Sequence, residues 1–352
     1  MSNAIIGNVV DLRTAWREYL EQNPGTRIRD AALAIGVSEA ELLATKCGES
    51  VVRLDASWPE LVGAFERLGT VMTLTRNDVA VHEKTGAFEN VSASGSMGLV
   101  LGEAIDLRIF FSRWHHGFAV ETEAHSAIRR SFQFFDADGT AVHKVFLTDE
   151  SNEAIYHELV AKYRSADQSP KQPVIEPEPE TGEKPDGEID VEGFRAAWRG
   201  LQDTHEFFGM LRDFGVTRTQ GLRLAPAEFA RPVPIDTLQA LLDDVAAAGT
   251  EIMIFVGSPG VIQIHTGPVR TIKVMGPWVN VLDPEFNLHV RADLIASAWV
   301  VRKPTVDGVV TSVEFFDGKG RNVALVFGKR KPGKAELERW REHVEGLRGG
   351  LN

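Results

Sequence analysis

An internal repeat constrains the fold of this 352-residue chain more than any other feature of its sequence. Residues 134–146 match residues 315–327, 181 positions later, and seven of the 13 aligned positions are identical. Gly36 recurs as Gly215, 179 positions later. An offset that stays nearly constant from residue 36 to residue 146 indicates a tandem duplication. We therefore expect two similar halves.

A segment of unusual composition, residues 166–190, separates the two copies. It contains five prolines and eight acidic residues against two lysines. Such a segment buries little apolar area and sustains no regular hydrogen-bond ladder, which predicts an extended, solvated tether. The expected organisation is an N-terminal repeat at residues 1–165, an acidic proline-rich linker at 166–190 and a C-terminal repeat at 191–352.

Each copy combines helices at its ends with an uninterrupted series of short β-type segments. Strands in series, without alternating helices, favour an α+β fold in which each half has a mostly antiparallel sheet with flanking helices. Ser57 and Asp236 each stand three residues before a Glu or Gln, as in the capping boxes that begin helices. In the first copy we predict helices at residues 29–35, 38–45, 59–68 and 152–164, and strands at residues 70–75, 79–82, 107–111, 117–121, 131–135 and 142–147.

Charge and cysteine content limit the partners and the cellular compartment that we expect for the chain. The chain has 38 basic and 50 acidic residues, for a net charge of −12, which argues against nucleic acid or an anionic membrane as a partner. No apolar segment reaches the roughly 18 residues that span a bilayer, and the first residues lack a secretory signal pattern. The single cysteine, Cys47, excludes an internal disulfide and suits a reducing compartment. We expect a cytoplasmic protein without membrane insertion.

Residues 29–43 have the pattern of a helix-turn-helix, with Gly36 in the turn. The second helix would carry Glu39 and Glu41, which repel phosphates. The corresponding segment of the second copy carries Arg218 instead. A plain helix pair and a DNA-reading element both remain open, and the net charge argues against the second.

His205 stands at the expected start of a helix, close to Phe207 and Phe208. Its counterpart in the first copy is Thr26, so the duplication does not require a histidine there. Such a residue often caps a helix or lies on the surface. A neutral imidazole in aromatic surroundings is also what an axial haem ligand requires, so both interpretations remain open.

The second copy differs from the first in apolar area and in charge. Met253 and Phe255 replace Thr73 and Thr75 on one strand face, and Arg108 of the first copy corresponds to His289. Apolar surface beside cations suits a flat apolar molecule that carries carboxylates. Three cations of the second copy replace polar or acidic residues of the first: Arg218 for Glu39, Lys303 for Thr122 and Arg330 for Asp149.

With these features, the chain resembles the cytoplasmic hemin-utilisation proteins of bacteria, the hemin-transport or hemin-degrading factors. The resemblance covers almost the full length except the linker. It implies that one haem b lies in a cleft to which both halves contribute. The most specific segments are residues 69–86, 105–118, 204–211, 254–268 and 275–290.

The resemblance also implies the residues of the haem site. The axial iron ligand is expected at His205, and the distal arginine at Arg108, with Phe110 beside it. The remaining implied positions are the apolar wall at Met253 and Phe255 and the propionate-facing cations Arg218, Lys303 and Arg330.

The function implied is a cytoplasmic haem-binding protein that receives imported haem and either transfers it or opens the ring to release iron. Ring opening would resemble haem oxygenase chemistry, with Arg108 donating hydrogen bonds on the face opposite His205. Electrons would come from an external donor, because the chain has no flavin or nicotinamide motif. The implied partners are a haem importer and a downstream haem acceptor or reductase. A pure haem carrier without turnover, and a haem-responsive DNA-binding regulator, are the alternatives.

Overall fold

The structure is a computed structural model that describes residues 9–124, 127–177, 179, 182–330 and 333–347. In the first copy of the repeat the described helices are α1 Val9–Gln22, α2 Ile28–Ile35, α3 Glu39–Ala44, α4 Trp58–Ala64 and α5 Glu153–Tyr163. Its described strands are β1 Val51–Leu54, β2 Gly69–Arg76, β3 Ala80–Ala87, β4 Val91–Ser94, β5 Met97–Leu101, β6 Asp106–Phe110, β7 His116–Ala124, β8 Ala127–Phe135 and β9 Ala141–Ser151.

The second copy repeats the same order of helices and strands. Its described helices are α6 Val191–Arg199, α7 Glu206–Phe214, α8 Arg218–Leu224, α9 Thr237–Ala248 and α10 Glu338–Gly346. Its described strands are β10 Ala230–Val233, β11 Ile252–Gly257, β12 Val261–Gly267, β13 Ile272–Met275, β14 Trp278–Asp283, β15 Phe286–Arg291, β16 Ile295–Thr305, β17 Gly308–Asp317 and β18 Asn322–Gly328. No helix in the described ranges is both long enough and apolar enough to cross a bilayer.

The strands form two antiparallel sheets of nine strands each. One sheet has the order β1-β7-β8-β9-β2-β3-β15-β14-β13, and the other has the order β10-β16-β17-β18-β11-β12-β6-β5-β4. The two orders correspond strand for strand when the copies are exchanged, as a duplication requires. The α+β class with antiparallel sheets and flanking helices is therefore confirmed.

By its packing the chain divides into two compact units. Unit 1 contains the described residues of Met1–Arg76, Lys84–Glu178 and Ser258–Ile262. Unit 2 contains those of Asn77–Glu83, Pro179–Gly257 and Gln263–Asn352. The units thus differ from the two copies of the repeat by two short segments, which begin at the corresponding positions 77 and 258.

Asn77 shows how the short segment at its start is fixed in unit 2. Its side-chain amide donates to the carbonyl oxygens of Gly257 at 3.3 Å and of Val323 at 2.9 Å. Its Oδ1 accepts from the backbone amides of Val79 at 3.0 Å and Ala80 at 2.8 Å. Val79 and Ala80 then join the main apolar core of unit 2.

The predicted linker is extended, but it is not fully solvated. At one end, the side chain of Gln168 forms hydrogen bonds with both the amide and the carbonyl of Arg53, at 3.0 and 2.9 Å. At the other end, Gln220 of α8 donates to the carbonyl of Lys184 at 2.7 Å. Residues 178, 180 and 181 lie outside the described part of the chain. Hydrogen bonds from a linker side chain at one end and from a folded-unit side chain at the other thus attach the linker to both units.

The capping boxes predicted at Ser57 and Asp236 are wrong, although helices α4 and α9 do begin beside them. Neither side chain accepts a hydrogen bond from its helix. Pro59 occupies the second position of α4 and so removes one of the two amides from which a capping side chain accepts. Asp236 has helical dihedral angles, φ −78° and ψ 0°, rather than the extended conformation of a capping residue.

Candidate functional site

His205 lies on the surface of unit 2, immediately before helix α7, with 91% of its side chain exposed. The helix is held in place by its other face, where Phe207 packs against Trp198 with ring centroids 4.8 Å apart. Phe208, the next residue, is 71% exposed. The start of α7 therefore presents an imidazole beside an aromatic ring on a firmly packed helix.

Asp203 contacts His205 twice through the same oxygen. Its Oδ1 accepts from the His205 backbone amide at 2.8 Å and lies 2.6 Å from Nδ1 of the ring. These two hydrogen bonds hold the pKa of Asp203 below its usual range, and the positive charge of Arg330 adds to the effect. Asp203 is thus an ionised carboxylate that binds one nitrogen of the imidazole.

Arg330 also approaches a second carboxylate in unit 2. Its Nη2 lies 3.9 Å from Oδ2 of Asp307, in the turn between β16 and β17. The backbone amide of Val306 in that turn donates to the carbonyl of Gln202 at 3.0 Å. The β16–β17 turn therefore supports the residues that precede His205.

Arg218 and Lys303 form a buried ion cluster with Glu314, and we call these three residues the cation cluster. Arg218, the first residue of α8, donates from Nε and Nη2 to the two oxygens of Glu314, each at 2.8 Å. Lys303 on β16 donates from Nζ to Oε1 of Glu314 at 2.9 Å. Lys303 is 3% exposed, whereas the Arg218 side chain is 25% exposed.

Glu314 carries a negative charge although it is fully buried. Burial opposes its ionisation, but the charges of Arg218 and Lys303 outweigh burial and hold the pKa of Glu314 far below its usual range. Two cations and one carboxylate leave the cation cluster with a surplus positive charge. Of the two cations, Arg218 is the one that solvent reaches.

Phe207 and Phe327 connect the cation cluster to the apolar strand β11. Nζ of Lys303 lies 4.5 Å from the ring centroid of Phe207 and 5.7 Å from that of Phe327. Phe327 lies 5.1 Å from the ring of Phe255, and Met253 pairs with Phe327 across the β11–β18 register. Met253 and Phe255 are both half-buried. An apolar strand face thus lies next to the cation cluster.

Arg108 and Phe110 lie together on strand β6 of unit 1. Alternation along a strand places both side chains on the same face. Nη1 of Arg108 forms an ion pair with Asp106, and one third of the Arg108 side chain is exposed. The other six predicted site residues all lie in unit 2.

Unit 1 has an ion cluster of the same composition, but its carboxylate rather than its arginine stands at the helix start. Glu39 on α3 takes the position that Arg218 has on α8, and it pairs with Lys144 and Arg76. Burial opposes the charge of Glu39, but these two cations lower its pKa to about 2. The duplicated fold therefore places a paired charge at this helix start in both copies, buried at Glu39 and partly exposed at Arg218.

Two residues of the candidate site were missed by the sequence analysis, Asp203 and Glu314. Glu314 stands where the first copy has Gln133, so a comparison of the copies at this pair would have shown a new negative charge beside the new cations. Asp203 lies two positions before His205, a spacing at which a carboxylate is able to accept from the ring nitrogen.

A comparison with known proteins adds a family and close relatives. The family described as the haemin-degrading HemS.ChuX domain matches residues 36–163 and again residues 215–347. The hemin transport protein HmuS of Yersinia pestis is 36% identical over 337 residues, which cover 94% of this chain and 96% of the relative.

Two solved structures share the whole fold. Holo-PhuS, a heme-binding protein from Pseudomonas aeruginosa, is 43% identical with a TM-score of 0.95, covering 97% of this chain and 99% of that one. ChuS, an E. coli heme oxygenase, is 34% identical with a TM-score of 0.87, covering 96% of this chain and 99% of that one.

Proposed function

Because the chain belongs to the family of haemin-degrading HemS.ChuX domains, we propose that it binds haem and either hands it to an acceptor or opens the ring to release iron. One observation carries the proposal. An exposed His205 imidazole, held through Nδ1 by Asp203, lies in the same compact unit as the cation cluster and the apolar face of β11.

The side chains of unit 2 match the three chemical parts of haem. Haem supplies an iron centre, an apolar ring and two propionate carboxylates. His205 offers Nε2 as an iron ligand, since Asp203 occupies Nδ1. Met253 and Phe255 offer apolar area to the ring. A carboxylate is the chemical complement of the surplus positive charge of the cation cluster and of Arg330.

Within this proposal the three cations have different tasks. Arg218 is partly exposed and is the cation through which the cluster would meet a propionate. Lys303 is buried against Glu314, so it acts by keeping the cluster positively charged rather than by direct contact. Arg330 pairs with Asp307 at 3.9 Å, a distance that leaves its guanidinium able to donate hydrogen bonds to a closer carboxylate.

Arg108 and Phe110 enter the proposal through the family resemblance. Arg108 would supply guanidinium hydrogen bonds on the face of haem opposite His205, and Phe110 would supply apolar contact. A guanidinium donor is suited to stabilising negative charge on an oxygen. Its contribution is therefore expected in ring opening more than in haem retention.

Relatives support both haem transfer and haem degradation. HmuS is named a hemin transport protein, whereas ChuS is named a heme oxygenase. Either activity needs the same ligand, cations and apolar face. The proposal extends to a cytoplasmic location, to a haem importer as source, and to a haem acceptor or an external reductase as partner.

The two activities are separated by adding hemin to the purified full chain and then a reductant with catalase under O₂. Formation of a tetrapyrrole product and carbon monoxide, at a rate that persists over several turnovers, identifies the degrading enzyme. A stable Soret band, with haem moving only when a haem-free acceptor is added, identifies the carrier. Absence of a specific Soret band would refute the proposal as a whole.

A further inference from the structure

We propose that Asp203 is the positioning residue of the haem site, which holds His205 in the tautomer whose Nε2 carries the free lone pair. This inference rests on the proposed function, but it concerns a property of the haem-free chain. One test therefore needs no haem, so that failure of this inference is distinguishable from failure of the proposed function.

The tautomer follows from the hydrogen-bond partners. An ionised carboxylate only accepts hydrogen bonds, so the nitrogen beside it must be the donor. Nδ1 of His205 lies 2.6 Å from Oδ1 of Asp203 and therefore carries the ring hydrogen. In the neutral imidazole the other nitrogen, Nε2, then has no hydrogen and is ready to bind a metal.

The turn that carries Asp203 is itself anchored, so the carboxylate is held in place. The Oε2 of Glu206 accepts from the backbone amide of Gln202 at 2.8 Å and from that of Asp203 at 3.3 Å. The backbone amide of Glu206 donates back to the carbonyl of Asp203 at 3.2 Å. These bonds fix both ends of the Asp203–His205 contact to the first turn of α7.

A purely structural role for Asp203 is the competing explanation. An Asp side chain in a turn accepts from the backbone amide two residues on, as Asp203 does from His205. Asn and Ser form the same local turn but carry no charge. Replacing Asp203 with either residue therefore preserves the turn and removes the charged acceptor at Nδ1.

A charged acceptor on the second nitrogen makes the histidine a more basic ligand. Loss of such a partner at a metal-binding histidine lowers metal affinity by about 10- to 100-fold. For Asp203→Asn we therefore expect hemin affinity to fall by about 10-fold or more. We also expect a lower Fe–His stretching frequency in the reduced protein and a more positive reduction potential.

The haem-free test records the ¹⁵N signals of the His205 ring in the full chain at alkaline pH. The parent chain is expected to show the hydrogen on Nδ1, and Asp203→Ser is expected to shift the population toward the hydrogen on Nε2. If the parent chain has the hydrogen on Nε2, the inference is wrong, whether or not hemin binds.

The hemin-loaded test compares Asp203→Asn with Asp213→Asn, a control whose carboxylate pairs with Arg212 on the surface of the same helix. An unchanged urea midpoint for Asp203→Asn, with weaker hemin binding and a lower Fe–His frequency, supports positioning. An affinity and frequency equal to those of the parent and of Asp213→Asn overturn it. If Asp203→Asn is unstable, the same comparison is made with Asp203→Ser.

Discussion

Arg218 and Glu314 form a two-point ion pair in unit 2, with Nε and Nη2 of the arginine each 2.8 Å from a separate oxygen of the carboxylate. Glu314 has no exposed area, and Lys303 binds its Oε1 from the strand beside it. Two of the three cations that the resemblance assigns to the haem propionates are therefore already organised around a carboxylate of the protein. Organised charges need little rearrangement when a ligand carboxylate arrives.

Replacing Glu314 should destabilise the chain strongly. Glu314→Gln leaves the buried Lys303 and the partly buried Arg218 as close like charges, and removing one partner of a buried ion pair costs about 3–5 kcal/mol. We expect a loss in this range in the free energy of unfolding by urea. The control Glu251→Gln removes a half-exposed partner of Lys329 and should cost less than about 1 kcal/mol. Equal losses in the two variants would contradict this account.

Acid should destabilise the chain through His143, which is fully buried in unit 1 with Nδ1 2.9 Å from Oγ1 of Thr75. Burial lowers the pKa of His143 from 6.5 to about 3. Between these values the unfolded chain binds a proton that the folded chain does not. The stabilisation is therefore complete above about pH 6.5 and decreases as the pH falls, by up to about 1.4 kcal/mol per pH unit.

His143→Asn should flatten this dependence between pH 6.5 and 4.5, above the range where Glu39 and Glu314 take up protons. Urea unfolding at a series of pH values measures the slope. His157→Asn, at a half-exposed histidine beside Glu153, is the control and should keep the parent slope. If His143→Asn and the parent share one slope, the buried neutral histidine is not the cause of acid sensitivity.

The duplication allowed the order of helices and strands in each copy to be predicted from the sequence. Matched pairs such as Phe134 and Phe315 identify the strands that correspond in the two copies. Strands β4 and β5 were not predicted, since Ser92, Ser94 and Gly98 give them no apolar alternation. The place of residues 77–83 in unit 2 was also not predicted, because it depends on the four hydrogen bonds of Asn77. A fragment of residues 191–352 would lack this segment, so variants of the full chain are the better test of the site.

For the candidate site, the sequence identified the side chains suited to binding haem, but not the carboxylates that pair with them. A histidine with no counterpart in the other copy and three new cations were visible as differences between the copies. Their partners were not identified. Asp203 binds His205 through a local turn, whereas Glu314 on β17 binds Arg218 on α8, 96 positions away in the chain. That second contact depends on tertiary structure, which spacing along the chain does not specify.

Arg108 should matter more for chemistry than for haem retention. One charge-assisted hydrogen bond contributes roughly 1.5–3 kcal/mol, so Arg108→Ala should still bind hemin. Donors aimed at developing charge change rates by about 10²–10³, so any ring opening should slow by at least about tenfold. The assay is tetrapyrrole formation under O₂ with a reductant and catalase.

His289 is the matched control, because it occupies the position of Arg108 in the second copy and already pairs through Nδ1 with Asn280 at 2.7 Å. His289→Ala should affect turnover less than Arg108→Ala does. If Arg108→Ala keeps the parent rate while His289→Ala is slow, the arginine has been assigned to the wrong copy of the repeat.

Hemin titration of His205→Ala in the full chain, with the Soret band recorded, is the sharpest test of whether His205 binds the haem iron. The side chain is 91% exposed, so the variant should remain folded. We expect a displaced Soret band and weaker binding, both partly restored by added imidazole, while His157→Ala behaves as the parent. An unchanged Soret band and an unchanged affinity in His205→Ala would show that His205 is not the iron ligand.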